Sequence, residues 1–264
     1  MLNSHTLFLA QIISHLGFFI LLVKGELFHW GIAIFVYFLT GCLGVTMTYH
    51  RFLSHRAWHP PKWFEVLATL LASLGLIGSA LSWVAMHRKH HRYADTEKDP
   101  HSPAFKGFFY CQWLSMFEPV ELRYVTDLGR QSLFQLQHKY YFVICGVYAG
   151  FLYFMDPFAI IYAFLAPACI LWNAAALIVT WSHLHGEKPH SMSANARNSW
   201  LLGLLVWGEG WHNNHHHRAQ SPYFAEKLWQ IDVGGYLIWV IEYLTSAVNN
   251  FTIYSRHRRV KPLE

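Results

Sequence analysis

The residues with the most obvious chemistry are histidines. GEGWHNNHHHR, positions 208–218, packs four of them into six residues beside one carboxylate, Glu209. Imidazole at neutral pH moves protons or binds metals. Proton transfer needs one or two such rings, whereas ligation needs several, so their spacing decides between the two. HNNHH sets His212, His215 and His216 at i, i+3 and i+4, and HRKHH does the same for His87, His90 and His91. Residues three and four apart share a helix face, so each run projects three rings one way. HRFLSH adds His50 and His55, and TWSHLHG adds His183 and His185. His50 and His55 lie about 140° apart around an α-helix, so one helix does not present both well. His55 is therefore expected to come back from a bend beyond His50. His5, His15, His29, His138, His190 and His257 are scattered and read as solvated or interfacial side chains.

Rings packed together without a metal would repel when protonated and lack partners when desolvated. About eight or nine imidazoles exceed the needs of one ion, since a catalytic zinc takes three protein ligands and a water. Two ions with four or five histidines each account for the number. Imidazole suits zinc, copper, nickel and iron alike, so the setting must choose the metal. An apolar stem beneath the metals implies a lipophilic substrate without a hydrolysable bond. Attack on an unactivated C–H bond requires a redox metal and dioxygen, which favours iron.

The elements that must carry these rings are apolar. Of the 264 residues 54% are hydrophobic and only 13% charged, against about 25% charged in soluble domains. Four apolar stretches approach the roughly 20 residues that cross a bilayer: about 6–23, 28–49, 140–156 and 158–181. Short connections make them two hairpins. The first stretch lacks a basic leader and runs straight into the second, so it is not read as a cleaved signal. Of 20 Lys and Arg, 19 fall in 50–139 and 183–264 and only Lys24 elsewhere. That asymmetry predicts both termini and the large loop on the cytoplasmic side. A further apolar stretch, 64–86, would separate the histidine groups if it crossed, and is read as an interfacial or cap-buried helix. The basic face meets anionic lipid rather than nucleic acid, since no separate basic domain is present. Cys42, Cys111, Cys145 and Cys169 show no paired spacing and are assigned to packing. The expected fold is thus one all-α integral membrane domain over 1–264. It has four transmembrane helices and a helical cytoplasmic cap, 50–139 and 182–264, in a bacterial inner or endoplasmic-reticulum-type membrane.

HRFLSHR, HRKHH with the downstream DTEKDPHSP, and GEGWHNNHH resemble the three histidine boxes of the membrane fatty-acyl desaturases, in particular the acyl-CoA Δ9, stearoyl-CoA desaturase-like branch. The resemblance runs from about the second span to Asp232. It implies a di-iron centre on nine histidines, by residue match His50, His55, His87, His90, His91, His183, His212, His215 and His216, with His217 outside the set. It also implies dioxygen as co-substrate, a fatty acyl chain on CoA, acyl carrier protein or lipid, and a cis double bond at Δ9. Electrons are expected from a separate protein such as a ferredoxin or cytochrome b5, because the chain ends soon after RHRRVKPLE. Three departures stand out. Val179 occupies a position where relatives carry Asn, His185 competes with His183, and Arg218-Ala219 replaces the usual Phe-Pro.

Ligating histidines pass their other N–H to a carboxylate or carbonyl, which makes Glu209, Asp95, Asp99 and Asp232 the candidates for that support. α-Helical steps back from His50 place Val45 or Thr46, then Cys42, then Phe38 along an acyl tunnel, and the resemblance puts the tunnel end at Cys42 and Phe38. Two other readings exist. The same centre could act as a lipid hydroxylase, acetylenase or carotenoid oxygenase, separable by product mass. A metal transporter would want ionisable groups within the spans, and these have almost none.

Overall fold

The computed structural model describes residues 3–258, with side chains through residue 246. His257 therefore lies outside the described side chains. Among the described residues the protein is helical, with only isolated β-bridges joining Glu187, Asn198 and Trp211.

α1 (Ser4–Lys24) starts where Asn3 Oδ1 accepts from the amides of His5 and Thr6, and it stops at Gly25. α2 (Leu27–Ser54) follows after a two-residue turn and packs back along the stem. Two helices form a return loop, α3 (Lys62–Ser73) and α4 (Ala80–Tyr93). The short α5 (Pro103–Lys106) and α6 (Phe108–Trp113) then lead to α7 (Ser132–Lys139) and α8 (Tyr141–Met155). α9 (Ile161–His183) runs against α1 and α2. Three further helices follow, α10 (Trp200–Leu205), α11 (His212–His217) and α12 (Val233–Arg258).

α1, α2 and α9 are long and apolar enough to cross a bilayer. α8 is apolar but has only 15 residues, short of the roughly 20 that a span needs. The expected four long spans are thus three long helices and one short one. α8 still carries an outward stripe of Val143, Val147, Phe151 and Phe154, all more than half exposed. Such a stripe has no aqueous reason to exist.

From Phe38 to Ser54 α2 is wound as a π-helix, with i→i−5 hydrogen bonds. The amide of His55 donates to the carbonyl of His50 at 3.3 Å, and the Thr48 and Ser54 hydroxyls donate to carbonyls five residues back, Leu43 and Tyr49. Such winding is rare and concentrates at functional sites. It overturns the 140° argument, because five residues now complete about one turn. His50 and His55 are neighbours, their rings edge to face with centroids 5.0 Å apart. No bend is needed between them.

The stretch 64–86 is not one helix. α3 descends beside α2 so closely that a Cβ on Gly44 would sit 2.6 Å from the Ala72 amide nitrogen. The chain then breaks at 74–79, where Leu76 and Gly78 take φ of 53° and 102°. The broken turn is buried, and its polar groups find partners. Leu76 C=O accepts from Gln11 Nε2 at 2.6 Å, and Gly78 N–H donates to the Tyr141 hydroxyl at 3.1 Å. Gln137 holds it from the third side, accepting from the Ala80 amide and donating to Tyr49 and Ser73. α4 returns alongside, so His87 ends 2.8 Å from His55, Nε2 to Nε2. The chain that leaves the histidine cluster at 55 is back in it at 87.

A candidate metal centre at the base of the cap

Four elements converge on one point. α2 brings His50 and His55, α4 brings His87, His90 and His91, α9 ends on His183, and α11 brings His212, His215 and His216. Their ligand atoms sort into two groups, each with all atoms within 4.8 Å of one another. One holds His50, His55, His87, His91 and His215, and the other His90, His183, His212 and His216. These are the nine expected from the sequence, and the structure brings all nine together. His185 is exposed and stacks on Trp181, its centroid 4.3 Å away, so it stands apart from His183. His217 is likewise outside, exposed and stacked on His190 at 4.0 Å.

The orientation of the rings tests whether a metal fits. Nε2 atoms face each other across the cluster: His50 to His215 at 3.0 Å, His215 to His91 at 3.0 Å and His183 to His212 at 3.1 Å. From outside, carboxylates take the opposite nitrogens. Asp99 accepts from His90 Nδ1 at 2.9 Å, Asp95 accepts from His183 Nδ1 at 2.8 Å, and Glu209 pairs with His50 Nδ1. An ionised carboxylate only accepts, so Nδ1 carries the proton and the Nε2 lone pair points inward. In His50, His90 and His183 the Nε2 lone pair is thus aimed at other ring nitrogens inside the cluster, a setting that a Lewis acid satisfies. The buried Nε2 of His90 has no hydrogen-bond partner at all. The donor set therefore fits metal ions.

The electrostatics agree with this geometry. Burial, with repulsion from neighbouring rings second, holds His55, His87, His90, His91, His212, His215 and His216 well below the usual imidazole range. Neutral imidazole is the form that ligates. Burial works against ionised Asp95, but His183, the Asn195 amide and Ser102 outweigh it and bring Asp95 down to about 2. For Asp99 burial wins and its pKa is raised.

Asp232 does not touch a histidine. It accepts from both terminal nitrogens of Arg51 at 2.8 and 3.1 Å, and from the amides of Phe224 and Gly235. Arg51, wholly buried, also reaches Glu209 at 3.3 Å and the Pro222 carbonyl at 2.7 Å, and lies 3.9 Å over the Phe224 ring. Asp232 thus steadies Glu209 through Arg51. Arg51 itself was not singled out from the sequence, although a buried charge next to His50 in HRFLSH was the available signal. His101 was also missed. It is buried beside Asp99, and its ring centroid lies 4.6 Å from that of His90. α11 is too short to stand alone and is fixed by its asparagines. Asn198 Oδ1 accepts from the Asn213 and Asn214 amides, while the Asn214 side chain donates to the Phe224 carbonyl.

Two apolar cavities meet at the histidines. The first starts near Ser4, Ser115 and Glu118 and runs past Leu7 and Met86 to Trp83 and His87. The second shares Trp83, His87, Ala175 and Val179 with the first, touches His50, His90 and His212, and is also lined by Val45, Leu171 and Trp207. Val179 makes an apolar wall common to both. Of the expected tunnel residues Val45 lines the second cavity, whereas Cys42 and Phe38 line neither. Thr46 lines the second cavity beside Val45, four and five residues before His50, while Cys42 is fully buried.

A family model for fatty acid desaturases matches residues 28–227. The chain is 34% identical over 228 residues to the sn-2 palmitoyl-lipid 9-desaturase of Nostoc sp. (strain 36), a match covering 81% of this chain and 78% of that protein. It is 33% identical to Delta-9 acyl-lipid desaturase 2 of Arabidopsis thaliana, covering 81% and 72%. It is 32% identical to the acyl-CoA C20 Delta5-desaturase of Anemone leveillei, covering 85% and 74%. The chain belongs to the fatty acid desaturase family, and its activity is that of an oxidoreductase.

Proposed function

We propose that this protein is a dioxygen-dependent desaturase that inserts a cis Δ9 double bond into a saturated acyl chain carried by a membrane lipid. Nine histidines would hold two iron ions, one in each group. When bound, such an iron pair supplies, with dioxygen and external electrons, the oxidising power to remove hydrogen from an unactivated methylene. The residues of the chain do the rest. Nδ1–H bonds to Glu209, Asp95 and Asp99 fix the tautomers and aim the rings. Trp83, Ala175 and Val179 keep an acyl chain against the histidines and exclude water from it.

The observation that carries the reading is the apolar cavity that touches both histidine groups at once, through His50 and His87 on one side and His90 and His212 on the other. A lipid-borne substrate is favoured by the relatives named for acyl-lipid substrates and by exposed Phe105, Phe108, Phe109 and Phe117 near the first cavity, which suit a lipid surface. α1, α2, α8 and α9 would form two hairpins in a single domain, with the histidine end on the cytoplasmic side, where the Lys and Arg are. A separate one-electron carrier, a ferredoxin or cytochrome b5, would supply electrons.

The test is lipid mass spectrometry of a heterologous host expressing the protein. Loss of two hydrogens from membrane-lipid acyl chains is expected, and gain of oxygen would replace the desaturase by a hydroxylase. Isotope-labelled acyl-CoA and acyl-lipid offered to purified membranes separate the carriers. Faster turnover of the acyl-CoA would overturn the lipid-borne reading.

A further inference from the structure

The second cavity is lined by a residue that neither the boxes nor the helical spacing single out. Trp207 immediately precedes the GEG segment, is 7% exposed, and lines the second cavity together with Val206 and Leu171. Its position is unusual in two ways. The backbone takes φ of 51°, a left-handed conformation that costs a bulky residue energy and persists only when the surroundings enforce it. The ring also fills a gap that only glycine leaves: a Cβ on Gly41 would lie 2.2 Å from Cη2 and 2.4 Å from Cζ3 of Trp207. The enforcing contacts are visible. The Trp207 carbonyl accepts from the Gly234 amide at 2.9 Å, and the Tyr37 hydroxyl donates to the Leu205 carbonyl at 3.0 Å. Behind the indole lie Tyr37 and Phe38, with ring centroids at 4.5 and 6.3 Å.

We propose that Trp207, seated on Gly41, is the end wall of the acyl cavity and sets the longest methyl end the enzyme accepts. The inference rests on the desaturase reading above. It also explains why Phe38 lines neither cavity: the indole stands in front of it. Removing the indole would join its volume to the cavity and move the wall back to Tyr37 and Phe38. Adding a methyl at Gly41 would instead push the indole towards the histidines and shorten the cavity. An apolar pocket separates substrates differing by one methylene by roughly 10–200-fold, so a displaced wall is easy to read.

The experiment is a competition among saturated chains of 14 to 20 carbons in cells or membranes containing the full-length protein, with products quantified by mass spectrometry. In Trp207→Leu, the ratio of product from chains two carbons longer than the preferred one to product from the preferred chain should rise about tenfold or more. In Gly41→Ala, product should shift to shorter chains. Phe38→Ala alone should leave the profile unchanged, yet combined with Trp207→Leu it should extend the range further. If Trp207→Leu fails to accumulate, Trp207→Phe carries the same test with a smaller shift in the same direction. An unchanged profile in an accumulated, product-forming Trp207 variant overturns the end wall alone. Absence of desaturated product from the unsubstituted protein overturns the desaturase reading, and the wall with it.

Discussion

The two histidine groups share α4 and α11 as suppliers but are braced differently. In the five-membered group the only carboxylate on a ring is Glu209, and it is clamped by Arg51 from α2 and, beyond Arg51, by Asp232. That brace is part of the buried core where α2, the GEG segment and the start of α12 meet. In the four-membered group both braces, Asp95 and Asp99, come from the loop after α4. The loop is tied by its own hydrogen bonds, Asp95 N–H to Asp99 at 2.9 Å and the Asn195 amide to Asp95 at 2.6 Å. Asp95 itself sits at φ of 57°. Similar ligand chemistry is therefore achieved once by a core charge network and once by a folded loop. The first should be the more robust, because its braces are fixed by elements that pack for other reasons.

The largest effects break the groups one at a time. His215→Ala removes a ring from the five-membered group, and His90→Ala removes one from the four-membered group. Each should abolish desaturation, and metal analysis of purified protein should fall from two irons per chain towards one. Retained activity in either variant would break the two-ion assignment. Next come the braces. Asp99→Asn and Glu209→Gln should each weaken iron retention about 10–100-fold, measured by chelator competition, and each should release iron from its own group first. Simultaneous loss of both ions in both variants would mean the groups are one coupled site.

A substitution that serves both groups sharpens the contrast. Gly78→Val strains a backbone at φ of 102° and should cost about 1–3 kcal/mol of stability. Because α4 feeds both groups, both ions should be lost in parallel as the protein is warmed, followed by thermal unfolding with metal analysis. The smallest effects belong to the neighbouring histidines. His217→Ala and His185→Ala should leave iron content and turnover unchanged and shift stability by no more than about 0.5 kcal/mol. A loss equal to that of His216→Ala would move the boundary of the four-membered group.

The sequence by itself determined the ligand types and most of their directions. HNNHH and HRKHH project three rings each because i, i+3 and i+4 share a face in any α-helix, and α4 and α11 are α-helices. The apolar stretches also announced the long helices of the stem, since burial or lipid contact is the only low-energy fate of such segments. Wherever a reading depended on helix winding or on a break, tertiary structure decided. Nothing local in FLTGCLGVTMTYHRFLS marks a π-helix, and its i→i−5 bonds reversed the expected relation of His50 to His55. The turn at 74–79 exists because Gln11, Tyr141 and Gln137, distant in sequence, satisfy its exposed backbone groups. Trp207 could not be assigned from its neighbours, since its role follows from a missing Cβ on Gly41 in another helix. Periodicity reports what one element does to its own side chains, whereas winding, breaks and walls are set by what other elements press against it.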